Sequence, residues 1–90
     1  MMIELSDLIF TEQDDIVPQS GEYAPIINTN IANTLGGNDR ITGNGIGNDV
    51  FGDFGFKNAG ILNTDDGNDT ITGSLSYGRF GNNNGYNIVR

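Results

Sequence analysis

Apolar residues are sparse in the middle of this chain, and they recur two positions beyond an Asp-bearing turn. Ile41, Phe51 and Ile71 each follow a Gly-Asn-Asp tripeptide, at Gly37-Asn38-Asp39, Gly47-Asn48-Asp49 and Gly67-Asn68-Asp69. Two of these units continue identically, as Ile41-Thr42-Gly43 and Ile71-Thr72-Gly73. Gly permits a turn with positive φ, and Asp can offer carboxylate oxygens from that turn. The short apolar-alternate triplet after it reads as a brief strand with one side chain directed inward. Ile41, Phe51, Ile61 and Ile71 keep a ten-residue step even though Ala59 stands where the next Asp would fall. The step breaks at Gly81, and a weaker unit, Gly85-Tyr86-Asn87-Ile88-Val89, places Asn87 eighteen residues beyond Asp69. Recurring turn–strand units are a solenoid signature. The spacing predicts parallel strands centred near Ile41, Phe51, Ile61 and Ile71, with ten residues making half of one coil.

The pattern changes near residue 30. Residues 1–30 hold six acidic residues, no Lys or Arg, both prolines and a single Gly. Leu5, Leu8 and Ile9 have helical spacing, whereas the pairs Ile3, Leu5 and Leu8, Phe10 alternate as a strand would. Thr11-Glu12-Gln13-Asp14 has the form of a capping box, but Pro18 leaves little room for a helix behind it. The division expected is therefore an N-terminal arm or cap over 1–33, followed by a repeat unit over 34–90. Such a cap would shield the first solenoid turn. The fold class is all-β, a short parallel β-roll or β-solenoid of two to three coils with an acidic arm.

Composition narrows the function. With 90 residues and 36% hydrophobic content, the chain cannot build a large conventional core. It has no Cys, and therefore neither disulfides nor thiolate metal sites. Without His it also lacks imidazole ligands and the commonest general base, so no enzymatic activity is expected. A net charge of −8 disfavours nucleic acid and anionic lipid alike, and makes a hard cation the natural small partner. No apolar stretch is long enough to span a bilayer, and no Sec-type signal is visible at the N-terminus.

These units resemble the glycine-rich nonapeptide repeats of the RTX (hemolysin-type calcium-binding) family, G-G-x-G-x-D-x-U-x with U large and apolar. The resemblance covers residues 34–73 clearly and 82–89 faintly. Gly37, Gly47 and Gly67 take the fourth position, and Ile41, Phe51 and Ile71 the apolar one. The leading Gly pair is replaced by Thr34-Leu35, Asn44-Gly45 and Thr64-Asp65, and the step is ten rather than nine. The segment from Phe54 to Ile61, with Lys57 and Ala59, has lost both the Gly and the Asp. The resemblance implies a parallel β-roll with calcium held between stacked turns by Asp carboxylates and backbone carbonyls. It also implies a secreted or surface-exposed bacterial protein, folding where calcium is millimolar.

With half-coils alternating between two edges, Asp49 and Asp69 fall on one edge, one coil apart. With oxygens from Gly47, Asn48, Gly67 and Asn68 they would form the metal site. Asp39 falls on the other edge, opposite Ala59, with no second carboxylate above it and at best a half-site. Gly-Asn and Asn-Asp are also good turn formers that need no metal. Against that stands the crowding of Asp65, Asp66 and Asp69, whose carboxylates repel unless hydrated or neutralised. Asp53 reads as a solvated turn residue. Thr42, Thr72, Asn63 and Asn82-Asn83-Asn84 read as structural ladders rather than an ice- or glycan-binding face. Phe51, Phe54, Phe56 and Phe80 read as core or edge plugs. The leading expectation is a module that folds on binding calcium. The alternative is a metal-independent solenoid that interacts or self-associates through its coil ends.

Overall fold

The computed structural model describes residues 2–19, 25–43, 55–76, 78–81, 85 and 88–89. The strands are brief: β1 (Ile3–Glu4), β2 (Ile16–Val17), β3 (Ile26–Asn28), β4 (Ile31–Asn33), β5 (Arg40–Thr42) and β6 (Phe56–Asn58). They continue as β7 (Ile61–Asn63), β8 (Thr70–Thr72), β9 (Ser74–Ser76), β10 (Arg79–Phe80) and β11 (Ile88–Val89). The protein is all-β, and among the described residues a 3₁₀ turn forms at Leu5–Asp7. Every pairing among the described strands is parallel.

Three small sheets result, ordered β1-β3-β6-β9, β4-β7-β10 and β2-β5-β8-β11. Successive strands visit the three sheets in constant order, and the register fixes the length of a circuit. Ile26 pairs with Phe56 and Ile31 with Ile61, thirty residues on, while Phe56 pairs with Ser74 and Thr70 with Ile88, eighteen on. The starts of β3 and β4, β6 and β7, and β9 and β10 are each five residues apart; the next interval is nine in all three circuits. The whole difference lies between β5 and β6. Residues 43–55 make that connection, whereas Gly73 alone joins β8 to β9.

This corrects the two-edged arrangement expected from the ten-residue step. Ile41 and Ile71 are indeed stacked, parallel and buried. They are one full circuit apart, and Ile61 lies in a different sheet. Within β7 it is Leu62 that is fully buried, while Ile61 is half-buried. The equal step from Ile41 to Ile61 to Ile71 thus joins positions that play different roles. The expected strand at Phe51 lies outside the described residues.

The expected division at residue 33 falls between β4 and β5. β1 to β4 belong to the same sheets as the later strands, with Ile3 on Ile26 on Phe56 and Val17 on Ile41 on Ile71. The Leu5–Asp7 turn packs on β3 and β4, where a strand would otherwise begin the third sheet. No helix forms at the capping-box sequence. Instead the Thr11 hydroxyl accepts the Gln13 N–H at 3.1 Å and closes a local turn.

Inward positions stack as columns because the parallel register repeats them. Ile26 and Phe56, Ala32 and Leu62, and Val17, Ile41 and Ile71 form the core with Leu5 and Phe10. Burying a side chain such as Phe56 is worth about 2–3 kcal/mol. Polar columns complete the interior. The Asn28 side-chain amide donates to Asn58 Oδ1 at 2.9 Å and to the Ile61 carbonyl at 3.0 Å; the Asn58 amide donates to the Arg79 carbonyl at 3.3 Å. Both Asn side chains are fully buried, so these bonds satisfy amide N–H groups that would otherwise cost about 1–3 kcal/mol each, while Asn28 Oδ1 is left without a hydrogen-bond partner.

Candidate functional site

The candidate site is the corner that carries the chain from β4 to β5 and, one circuit on, from β7 to β8. The tripeptides Gly37-Asn38-Asp39 and Gly67-Asn68-Asp69 stack there. Gly67 has φ +95°, and a Cβ on it would overlap the Gly37 carbonyl oxygen, so the turn admits Gly alone at this approach. The Asn68 N–H donates to Asn38 Oδ1 at 2.8 Å, and the Asp39 N–H donates to Asp69 Oδ1 at 2.8 Å. A third layer comes from the first circuit. The Asn38 N–H donates to Asp14 Oδ1 at 2.7 Å, and the Asp15 N–H donates to Asp39 Oδ1 at 2.7 Å.

Two neighbouring columns therefore run in opposite senses. In the Asp14–Asn38–Asn68 column the side chains of Asp14 and Asn38 serve the N–H of the following circuit. In the Asp15–Asp39–Asp69 column each carboxylate serves the N–H of the preceding one. Among the described residues no earlier circuit stacks on Asp15, and Thr11 fills the place. Its N–H donates to Asp15 Oδ2 at 2.9 Å and its hydroxyl to Oδ1 at 3.0 Å. Glu4 and Asp65 are used in the same way. Glu4 accepts from the N–H and hydroxyl of both Ser6 and Thr29, and Asp65 accepts the Leu35 N–H at 3.2 Å.

Asp39 and Asp69 are buried, with 3% and 2% of their surface exposed. Burial pushes the Asp39 carboxyl up to about 7; the Asp15 N–H works against this, and the charge of Asp69 adds to it. The Thr34 hydroxyl also favours the charged form, although it donates to the Thr64 carbonyl oxygen at 3.0 Å. Asp39 Oδ2 is left with no hydrogen-bond partner. The Asp69 carboxyl is raised by burial as well, offset by hydrogen bonding from Asp39 and raised further by Asp65. Glu4 behaves oppositely. Burial would raise it, but the bonds from Thr29 and Ser6 outweigh that and hold it below its ordinary range.

The structure brings together Asp39, Asp69, Gly67 and Asn68 from the expected site. Gly47, Asn48 and Asp49 lie outside the described residues. The expectation that Asp39 stands alone on its edge is corrected: its stacked partner is Asp69, because a circuit here is thirty residues. The contribution of Asp14 and Asp15 was missed, since Gln13-Asp14-Asp15 lacks the Gly-Asn-Asp wording. Its signal was Asp15-Ile16-Val17, an Asp with an apolar residue two positions on. A thirty-residue repeat was also legible, with residues 28–43 and 58–73 identical at ten of sixteen positions.

Calcium takes about six to eight oxygens with several of them charged. Among the described residues no three acidic groups converge in a way that could hold a metal. What fits is narrower: two stacked buried carboxyls, one with an oxygen lacking any hydrogen-bond partner. No family model, curated protein or solved structure matches the chain.

Proposed function

We propose that the chain is a calcium-binding module built as a three-sided parallel β-solenoid, in which Asp39 and Asp69 hold the ion with oxygens of the Gly67-Asn68 turn. The observation that carries this reading is the buried Asp39 carboxyl with its unpartnered Oδ2, stacked on the buried carboxyl of Asp69. Two such groups cannot both ionise without a countercharge except at considerable cost. A divalent cation would neutralise both and tie successive circuits together, making binding free energy into folding free energy. The resemblance to RTX repeats supports the same reading and, with it, a secreted or surface-exposed setting where calcium is abundant.

A second reading is a metal-independent interaction or assembly solenoid. It is favoured by the use of Glu4, Asp14, Asp15, Asp39, Asp65 and Asp69 as acceptors for backbone or hydroxyl donors, which gives the acidity a structural purpose without a metal. Circular dichroism separates the two. Far-ultraviolet spectra and melting curves recorded in EDTA and then in millimolar calcium should show a gain in β signal and melting temperature on adding calcium. A spectrum and a melt indifferent to calcium would leave the second reading.

A further inference from the structure

A groove of about 620 Å³ opens at the first circuit, where the stack of strands begins. Ile3 of β1, Ile9, and Ile16 and Val17 of β2 line it, and Asp14 and Asp15 are its charged members. We propose that this end of the molecule docks an extended segment of a partner protein as an added parallel strand on β2, with an apolar side chain in the groove and a Lys or Arg reaching Asp14 and Asp15.

Three observations converge on that occupant. First, β1 and β2 are the terminal strands of their sheets among the described residues, so the outer edge of each has no neighbouring strand. A free strand edge beside an apolar groove is the arrangement that strand addition uses: main-chain bonds give affinity and alternate side chains fill pockets. Second, large apolar exposure concentrates here. Ile9 is 94% and Ile16 58% exposed, and Met2 and Leu8 are exposed beside them. Of the described large hydrophobic residues that are exposed, only Ile31 lies elsewhere.

Third, charge selects the partner. The first circuit carries Glu4, Asp7, Glu12, Asp14 and Asp15 with no Lys or Arg in residues 1–30. An acidic segment would meet like charge, and a basic one would be drawn in. Thr11 already holds the place where an incoming N–H would meet the Asp15 carboxylate. The contact to Asp14 and Asp15 therefore falls to a long cationic side chain rather than to the partner's backbone. In register on β2, the residue over Val17 points inward, as Val17 itself does over Ile41.

The test uses the full chain, labelled with ¹⁵N, in low-salt buffer. The probe is a blocked octapeptide, Gly-Ser-Lys-Thr-Val-Thr-Gly-Ser, compared with the same peptide carrying Glu in place of Lys. The Lys peptide should shift amide resonances of residues 3, 8–10 and 14–19 and bind at least roughly tenfold more tightly than the Glu peptide. Ile9→Ser, a change at a fully exposed side chain, should weaken both peptides. Asp14→Asn should shrink the difference between them while leaving the amide spectrum unchanged beyond its own neighbours and Asn38, whose N–H donates to Asp14 Oδ1. Equal binding of the two peptides, or no shifts at millimolar peptide, would overturn the proposal. So would concentration-dependent broadening of the same resonances without peptide, which would assign this end to a second copy of the chain. None of these outcomes depends on calcium.

Discussion

The N–H of Asp39 donates to Oδ1 of Asp69, thirty residues along the chain, at 2.8 Å. That bond places two buried carboxyls in one column and fixes the length of the circuit that separates them. It also makes the charge of one a problem for the other. The consequences can be measured.

Stability of the metal-free chain should fall as pH rises through neutrality. Asp39 has a folded pKa near 7 against an ordinary 3.8. The folded state therefore holds its proton more tightly than the unfolded state does. Its contribution is fully present below about pH 4 and is lost as pH rises through about 7, in total on the order of 4 kcal/mol. Glu4 has the opposite sign, since its folded pKa is lowered from 4.5. Its contribution is present above that value and lost as pH falls through the folded pKa. Melting temperature in EDTA should thus peak in mildly acid solution and decline toward pH 8. Asp39→Asn keeps an Oδ1 acceptor and should flatten the decline.

Part of this could be read in the sequence and part could not. The parallel strands at Ile41 and Ile71 were legible because Asp, apolar residue and Thr recur there with identical spacing. The circuit was not, because Ile61 happens to lie ten residues from Ile71 while Leu62, its neighbour, is the buried side chain. Two chemically similar residues side by side leave the facing of a three-residue strand undecided. The eighteen-residue offset between Asp69 and Asn87 was the better guide, since Ile88 pairs with Thr70. A longer connection between β5 and β6 turned the same circuit into thirty residues and concealed the shared period. The acidic N-terminal segment read as an arm because its composition differs from that of the Gly-rich repeats and Pro18 leaves little room for a helix. In the structure Glu4, Asp14 and Asp15 accept bonds from Thr29, Asn38 and Thr11.

Gly67→Ala should be among the most damaging single changes. The residue has φ +95°, and an added Cβ would overlap the Gly37 carbonyl of the previous circuit. Strain and steric displacement together should exceed about 2 kcal/mol. Urea denaturation should show the midpoint fall. A loss under about 0.5 kcal/mol, the range of ordinary surface changes, would mean the turns are not stacked this closely.

The asparagine column inside the molecule should be equally sensitive. Asn58→Ala removes the acceptor for the Asn28 amide and the donor to the Arg79 carbonyl. The expected cost is about 2–4 kcal/mol, combining the lost bonds with a small cavity. Asn63→Ala lies on the partly exposed outer face, where its amide meets Asn33 Oδ1, and should cost far less. Paired denaturation curves for the two variants check the contrast.

Thr11→Ala should loosen the first circuit and little else. It removes the hydroxyl bond to Asp15 and the one to the Gln13 N–H, both at the exposed end of the acidic column. A loss of about 1 kcal/mol is expected, as for other caps. Hydrogen exchange should accelerate at Asp15 and Arg40, whose N–H groups bond Asp39 Oδ1 and the Asp15 carbonyl. Exchange at Thr70, one circuit further on, should be unchanged.

Calorimetric titration of calcium into the full chain, and into Asp39→Asn, tests the central claim most directly. The stacked pair predicts binding in the wild type at millimolar calcium or below. It also predicts a loss of about tenfold or more in Asp39→Asn, matched by Asp69→Asn, because each removes one of two charges facing the same ion. No heat of binding in the wild type, or an Asp39→Asn chain that binds calcium as the wild type does, would contradict it.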